Sequence, residues 1–212
     1  MFALDHIVIA TIDPQKSAEA FSKKYQVTSM PGGKHENWGT YNYLAYFKNN
    51  CYIEWLGIYD TDKAKVATNP LVTQLMKTLE KHDELPYQIA LRTTILHEHA
   101  EHLTKHNIPT VGPLDGSRRK PNGDLLTWSM LFPKAEDDSF HPFIMQWGNT
   151  INLPDQKDQI NNQEITSVIL PENLQQALAD IYRLTSENDS IPLENCKLTF
   201  ADIFNQVQFK MD

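Results

Sequence analysis

An α+β fold of repeated βαβββ modules, two complete and a third partial, is predicted by three features of this 212-residue chain. The first is order: a strand, a helix and further strands run from residue 4 to 58, and the same order recurs from 87 to 147. The second is a local echo, in which Tyr52-Ile53-Glu54-Trp55 matches Ile144-Met145-Gln146-Trp147, each at the end of its unit. The third is a new strand-and-helix signal after Glu164, which restarts the pattern.

The elements follow in order. Leu4 to Thr11 is rich in β-branched residues and reads as a strand. Asp13-Pro14 stops it and opens a helix, because the Asp13 carboxylate accepts from free first-turn N–H groups and Pro14 suits the first helical turn. Ala18, Phe21 and Tyr25 give that helix an apolar side as far as about Gln26. Pro31-Gly32-Gly33 reads as a loop reaching Trp38-Gly39-Thr40, followed by strands from Tyr41 to Phe47 and Cys51 to Ile58 around an Asn49-Asn50 turn. This first module spans about residues 1–60, and a connector over 61–84 holds a helix from Pro70 to about Lys81.

The second module, about 85–148, begins with a strand from Tyr87 to Thr93 and a helix from Leu96 to about His106. An extended segment from Thr110 to Arg118 and strands from Leu125 to Phe132 and Phe140 to Trp147 complete it, with Asp137-Asp138 in a loop. Residues 149–163 are polar and read as a linker. The third module, 164–212, is an incomplete βαββ copy expected to pack on the domain formed by residues 1–150. It has a strand from Thr166 to Leu170, a helix from about Glu172 to Thr185 behind Pro171, and strands at Lys197–Phe200 and Gln206–Lys210.

Composition narrows the function. A hydrophobic share of 41% suits a packed core, and a net charge of −8 argues against nucleic acid or an anionic membrane as partner, since both would repel it. No apolar run approaches the roughly 20 residues of a membrane span, and the first residues lack a basic, then apolar, leader pattern. Cys51 and Cys196, far apart and without metal-type spacing, read as free buried thiols, so the expected location is the cytoplasm.

Alternation along the strands picks out a candidate site. Ile7 and Ile9 suit the face packed on the helix, which turns His6, Val8 and Ala10 to the opposite, concave face. On the strand from Cys51, Glu54 shares a face with Tyr52 and Leu56 among large apolar residues, where a carboxylate needs a partner: a cation, His6, or an Arg. Around them His35, Trp38, Thr40 and Asn42 can form a substrate-binding wall, because Pro31 and the two glycines allow a close, shaped loop. Arg118 is either a fork for a carboxylate or phosphate or a surface residue beside Arg119 and Lys120. Trp128 reads as core.

Two tempting motifs are set aside. The run His97-Glu98-His99-Ala100-Glu101-His102, continuing to His106, lacks the zincin spacing and reads as the solvated edge of a helix that buries Leu96, Ala100 and Leu103. Gly32-Gly33 is a turn without the strand–GxGxxG–helix context of a nucleotide site.

Five segments carry a resemblance. Leu-Asp-His-Ile-Val-Ile-Ala (4–10), Gly-Lys-His-Glu-Asn-Trp-Gly-Thr-Tyr-Asn (33–42), Tyr-Ile-Glu-Trp-Leu (52–56), Gly-Ser-Arg-Arg-Lys-Pro-Asn-Gly (116–123) and Pro-Phe-Ile-Met-Gln-Trp (142–147) are similar to the glyoxalase-like subgroup of the vicinal-oxygen-chelate superfamily of glyoxalases, bleomycin-resistance proteins and dioxygenases. The resemblance implies that the modules curl into that superfamily's curved-sheet barrel around a small-molecule cavity. It also implies ligands for a divalent metal (Zn, Ni, Mn or Fe) from the first and last strands of each module, here His6, Glu54, Gln88 and Gln146. Gln88 departs from the histidine and Gln146 from the carboxylate usual in such relatives. With a metal polarising two vicinal oxygens and Glu54 moving a proton, the implied activity is that of a lyase, isomerase or ring-opening dioxygenase. Without one, the implied role is binding and sequestering a small molecule. Modules of this fold often pair, which implies a homodimer.

Overall fold

The structure, a computed structural model, describes every residue except 121–122, 135–140, 188 and 204–206. The Asp137-Asp138 loop, the Pro121-Asn122 part of the motif at 116–123, and the starts of the strands expected from Phe140 and Gln206 lie outside the described residues.

The first module runs β1 (Ala3–Thr11), α1 (Pro14–Tyr25), β2 (Met30–His35), β3 (Thr40–Phe47) and β4 (Cys51–Ile58). Asp13 caps α1 by accepting from the Lys16 N–H at 3.1 Å, and Gln26, at φ 55°, ends it in the left-handed region. A connector with α2 (Thr61–Val66) and α3 (Pro70–Leu79) leads to the second module: β5 (Glu84–Arg92), α4 (Leu96–Lys105), β6 (Thr110–Arg119), β7 (Leu125–Pro133) and β8 (Phe143–Trp147). The short β9 (Ile160–Asn161) precedes β10 (Ile165–Pro171), α5 (Leu174–Tyr182), β11 (Ser190–Pro192), β12 (Lys197–Ala201) and β13 (Gln208–Met211). No helix among the described residues is long and apolar enough to cross a membrane.

The strands form a curled sheet in the order β2-β3-β4-β1-β5-β8-β7-β6, with β9 added beside β3. Within each module the first and last strands pair in parallel, β1 with β4 and β5 with β8, while β1 and β5 join the modules antiparallel. Alternation then sorts the core into two layers. Ile7, Ile9, Ile53, Trp55, Ile89, Leu91 and Ile144 face the helices with Ala18, Leu96 and Leu103. Val8, Ala10, Leu56, Ala90, Phe143 and Met145 line the concave side, where Leu71 and Leu75 of α3 pack against them. Full burial of a side chain such as Leu75 contributes roughly 1.5–3 kcal/mol, so α3 is a built plug over the second-module half of the hollow.

The third module makes a separate sheet, β11-β12-β10-β13. In it β10 runs parallel to β12 as β1 does to β4, and antiparallel to β13 as β1 does to β5. By register β13 therefore stands where the first strand of a following module would. The core of this unit (Val168, Leu170, Leu178, Tyr182, Leu198) is continuous with the helix-side layer of the first two modules.

Several sequence expectations change. Pro31-Gly32-Gly33 is not a loop but part of β2, pressed onto β3 where a Cβ on Gly32 would meet Asn42 Oδ1 at 2.2 Å. Glycine here permits close strand approach rather than a turn. The connector carries the additional α2, and the polar stretch after Trp147 is not a bare linker: Asn161 bonds Thr28 and Tyr46 backbone groups. The last module gains β11, and its helix is shorter than expected, ending at Tyr182.

Candidate functional site

The site begins with a bulge in β1. Pairing with β5 slips between Leu4 and His6, leaving Asp5 unpaired in the ladder and its side chain beside His6 instead of on the opposite face. His6 Nδ1 lies 2.7 Å from Asp5 Oδ1, and Asp5 Oδ2 accepts from Arg92 Nη1 at 3.0 Å and Trp147 Nε1 at 2.7 Å. Burial alone would push the Asp5 carboxyl up; the hydrogen bond and charge of His6, the Arg92 guanidinium and the Trp147 N–H together hold it below the usual carboxylate range. An ionised Asp5 keeps the proton on His6 Nδ1 and leaves Nε2 facing Glu54 Oε2 at 3.4 Å. Glu54 Oε1 accepts from Asn42 Nδ2 on neighbouring β3. His6 and Glu54 are 4% and 7% exposed, and the His6 ring stacks on Tyr52 at 4.6 Å.

His6, Asn42, Tyr52 and Glu54 line a chamber of about 50 Å³, together with His35, Trp38, Thr40, Arg118, Trp128 and Asn152. His35, Trp38, Arg118, Trp128 and Trp147 also line a wider groove of about 1030 Å³ that includes Lys34, Asp115 and Arg119, so the groove is continuous with the chamber. His35 bonds Thr40 Oγ1 at 2.9 Å. Burial lowers its pKa, Glu54 pulls the other way, and Arg118 adds to the lowering, so the ring is biased towards its neutral form. Arg118 donates from Nη1 to the Gly32 carbonyl and from Nη2 to Asn152 Oδ1, both at 2.9 Å. Asn152 Oδ1 also accepts from the Tyr46 hydroxyl, whose pKa burial pushes up to about 12.

The structure thus gathers His6, Glu54, His35, Trp38, Thr40, Asn42 and Arg118 around one hollow, but not Gln88 or Gln146. Gln88 Nε2 donates to Gln74 Oε1 and the His141 carbonyl, and its Oε1 accepts from the Ile89 N–H. Gln146 accepts from the Leu96 N–H at 2.9 Å, satisfying the start of α4, and it borders the wider groove but not the chamber. The ladder explains the misplacement. Ile7 pairs with Ile89, so turning one module onto the other sets Gln88 at the place of His6 and Ala90 at that of Val8. Val8 pairs with Glu54 and Ala90 with Phe143. Phe143, not Gln146, is the counterpart of Glu54.

The donors therefore do not fit the four-ligand metal centre that His6, Glu54, Gln88 and Gln146 were expected to form. Two donors converge, His6 Nε2 and Glu54, while the matching positions hold a tied amide and a phenyl ring, short of the three protein ligands usual even in an open catalytic site. Among the described residues no three His, Cys, Asp or Glu side chains cluster to hold a metal. The histidine stripe on α4 is corrected in part. His97 and His106 are exposed as expected. His102, however, is buried, with Arg183 at its Nδ1, and His99 stacks on Phe2 at 4.4 Å, so these two are covered by the third module and the residue before β1. Trp128 belongs to the core and to the chamber wall at once. Sequence reasoning did not find Asp5, because strand alternation sends it away from His6, or Asn152, because nothing in a polar stretch marks one asparagine.

A family model described as "Glyoxalase-like domain" matches residues 4–185. No curated protein matches the chain. Among solved structures, a hypothetical protein from Staphylococcus aureus superposes with a TM-score of 0.77 at 20% identity, covering 96% of this chain and 88% of that one. A hypothetical protein from Bacillus halodurans C-125 gives 0.50 at 13% identity over 73% and 99% of the two chains. A methylmalonyl-CoA epimerase from Mycobacterium tuberculosis gives 0.49 at 18% identity over 68% and 85%.

Proposed function

Because this chain belongs to the glyoxalase-like domain family of the vicinal-oxygen-chelate superfamily, we propose that it is a small-molecule isomerase or lyase in which Glu54 and His6 move a proton without a divalent metal. The reading rests on one observation: a carboxylate and an imidazole nitrogen, both buried, face each other at 3.4 Å in a small chamber. Each is oriented from behind, Glu54 by Asn42 and His6 by Asp5.

With Nδ1 bound to Asp5, His6 Nε2 faces Glu54 Oε2, so a proton taken up by one can pass to the other and back. Glu54 is the catalytic base, drawing a proton from a carbon next to a carbonyl as the electron pair moves onto the carbonyl oxygen. His6 receives or relays that proton, and its return to carbon completes an isomerisation. Departure of a neighbouring group, protonated by His6, completes an elimination. Excluding water strengthens both groups' interactions with the reacting atoms. A metal-dependent ring-opening dioxygenase would need a redox metal, and the donor set described above does not fit one.

The test is uptake of solvent deuterium into carbon across a panel of small carbonyl compounds. Wild type should exchange, Glu54→Gln should lose about 10²–10⁴-fold of that rate, and added Zn, Ni, Mn or Fe should change neither. Exchange that survives Glu54→Gln, or that appears only with metal, would sink the proposal. The apolar second half of the hollow, Met130, Phe143 and Met145, favours a second reading as a binding protein that sequesters its ligand. Compounds that raise the melting temperature and emerge with no deuterium at carbon would select that reading.

A further inference from the structure

We propose that Arg118 anchors a substrate carboxylate, and that the site takes 2-oxo acids carrying an apolar arm. This rests on the acid–base reading of His6 and Glu54 and names the compound class for it.

The Arg118 guanidinium is half-buried, yet among the described residues it makes no ion pair. Its hydrogen bonds, to the Gly32 carbonyl and Asn152 Oδ1 at 2.9 Å each and to the Tyr46 hydroxyl, go to neutral groups. The cation is therefore held in place without being neutralised, while Glu54 is already engaged by Asn42 and His6. A partly desolvated charge kept without a counter-ion is unfavourable until an anion arrives. A planar fork with unused N–H groups matches the two oxygens of a carboxylate.

Position and size narrow the ligand further. Arg118 lines both the chamber and the groove, so it stands at the junction between them. The chamber, about 50 Å³, accepts a head of a few heavy atoms, given that a water takes about 30 Å³. The groove beyond is walled by Trp38, Trp128 and Trp147, which suit an alkyl or aryl arm. A 2-oxo acid held at Arg118 by its carboxylate would turn its carbonyl and its C3–H towards His6 and Glu54. The C3–H bond breaks, its electron pair forms the C2=C3 bond, the carbonyl oxygen becomes an enolate, and the proton goes to Glu54. Asn152 is a positioning residue, since its Oδ1 accepts from Arg118 and the Tyr46 hydroxyl together.

The experiment compares phenylpyruvate, its methyl ester and phenyl phosphate by calorimetric titration on wild type, Arg118→Gln and Arg118→Lys. The acid should bind wild type about tenfold or more tightly than the ester, the size of a charge-assisted hydrogen bond. Arg118→Gln should erase that preference and Arg118→Lys should restore part of it. Equal binding of acid and ester, a preference for the phosphate, no binding of the acid, or a preference that survives Arg118→Gln would each overturn the proposal. The acid–ester comparison on wild type does not depend on any variant folding. Deuterium uptake at C3, above the rate in buffer, separates the two readings. Arg118-dependent binding without uptake upholds this inference and overturns the proton-transfer reading; uptake from acid and ester alike does the reverse.

Discussion

The first and second modules share a strand order and a pairing scheme, yet their concave faces have opposite characters. In the first, β1, β3 and β4 bring His6, Asn42 and Glu54 to one chamber. In the second, the corresponding positions carry Gln88, tied to α3 and the His141 carbonyl, and Phe143, packed edge-on against the His6 ring at 5.6 Å. Helix α3 seals that half with Leu71 and Leu75. A duplicated scaffold thus divides the work: the first copy holds the facing His6 and Glu54, and the second supplies the apolar wall beside them and, from β6, Arg118.

The separation predicts a double dissociation. Leu75→Ala removes a fully buried side chain from the plug and should cost about 2–5 kcal/mol of stability, read from urea denaturation, while the deuterium-exchange rate of the remaining folded protein stays near wild type. Glu54→Gln should do the opposite. Loss of exchange in Leu75→Ala as severe as in Glu54→Gln would show that the two halves are not separable in this way.

A smaller effect sharpens the same contrast at β8. Gln146 satisfies the Leu96 N–H at the start of α4, where Ile95 provides no side-chain cap. Gln146→Leu should therefore lower stability by about 1 kcal/mol, the usual worth of an N-terminal cap, without altering exchange. A change in metal content or in rate, with stability intact, would return Gln146 to the site.

How far these features were legible follows from the kinds of signal involved. The α+β repeat and the facing of Ile7 and Ile9 away from His6 and Val8 follow from alternation, because only one face of β1 can meet α1. Register was not legible: aligning the echoed motifs on Trp55 and Trp147 put Gln146 opposite Glu54, whereas the hydrogen-bond ladder puts Phe143 there. The bulge that turns Asp5 towards His6, and the glycine that lets β2 press on Asn42, are single-residue departures from a periodic pattern and leave no periodic trace. The partners of α4 lie some eighty residues downstream, as in the contact of His102 with Arg183, which local reading cannot supply.

Histidines differ between the modules in the same way as carboxylates, and this gives the smallest effect. His6 and His35 line the chamber, whereas His99 and His102 on α4 are structural, covered by Phe2 and Arg183. Burial, with the nearby charges of the Met1 ammonium and Arg183 adding to it, pushes His99 down to about 4 from an ordinary 6.5, and His102 moves in the same direction. In the unfolded chain both rings titrate near 6.5, so between that pH and about 4 the unfolded state binds protons that the fold refuses. The stability these rings contribute is present above 6.5 and drains away as pH falls through that window. Partial exposure of His99 screens the effect, so the slope should be shallow. His99→Phe, which keeps a ring on Phe2, should flatten the dependence of unfolding free energy on pH between 6.5 and 4 relative to wild type. Parallel slopes in the two proteins would mean that His99 is as free to protonate in the fold as out of it, and that the α4 edge is solvated rather than sealed by the third module.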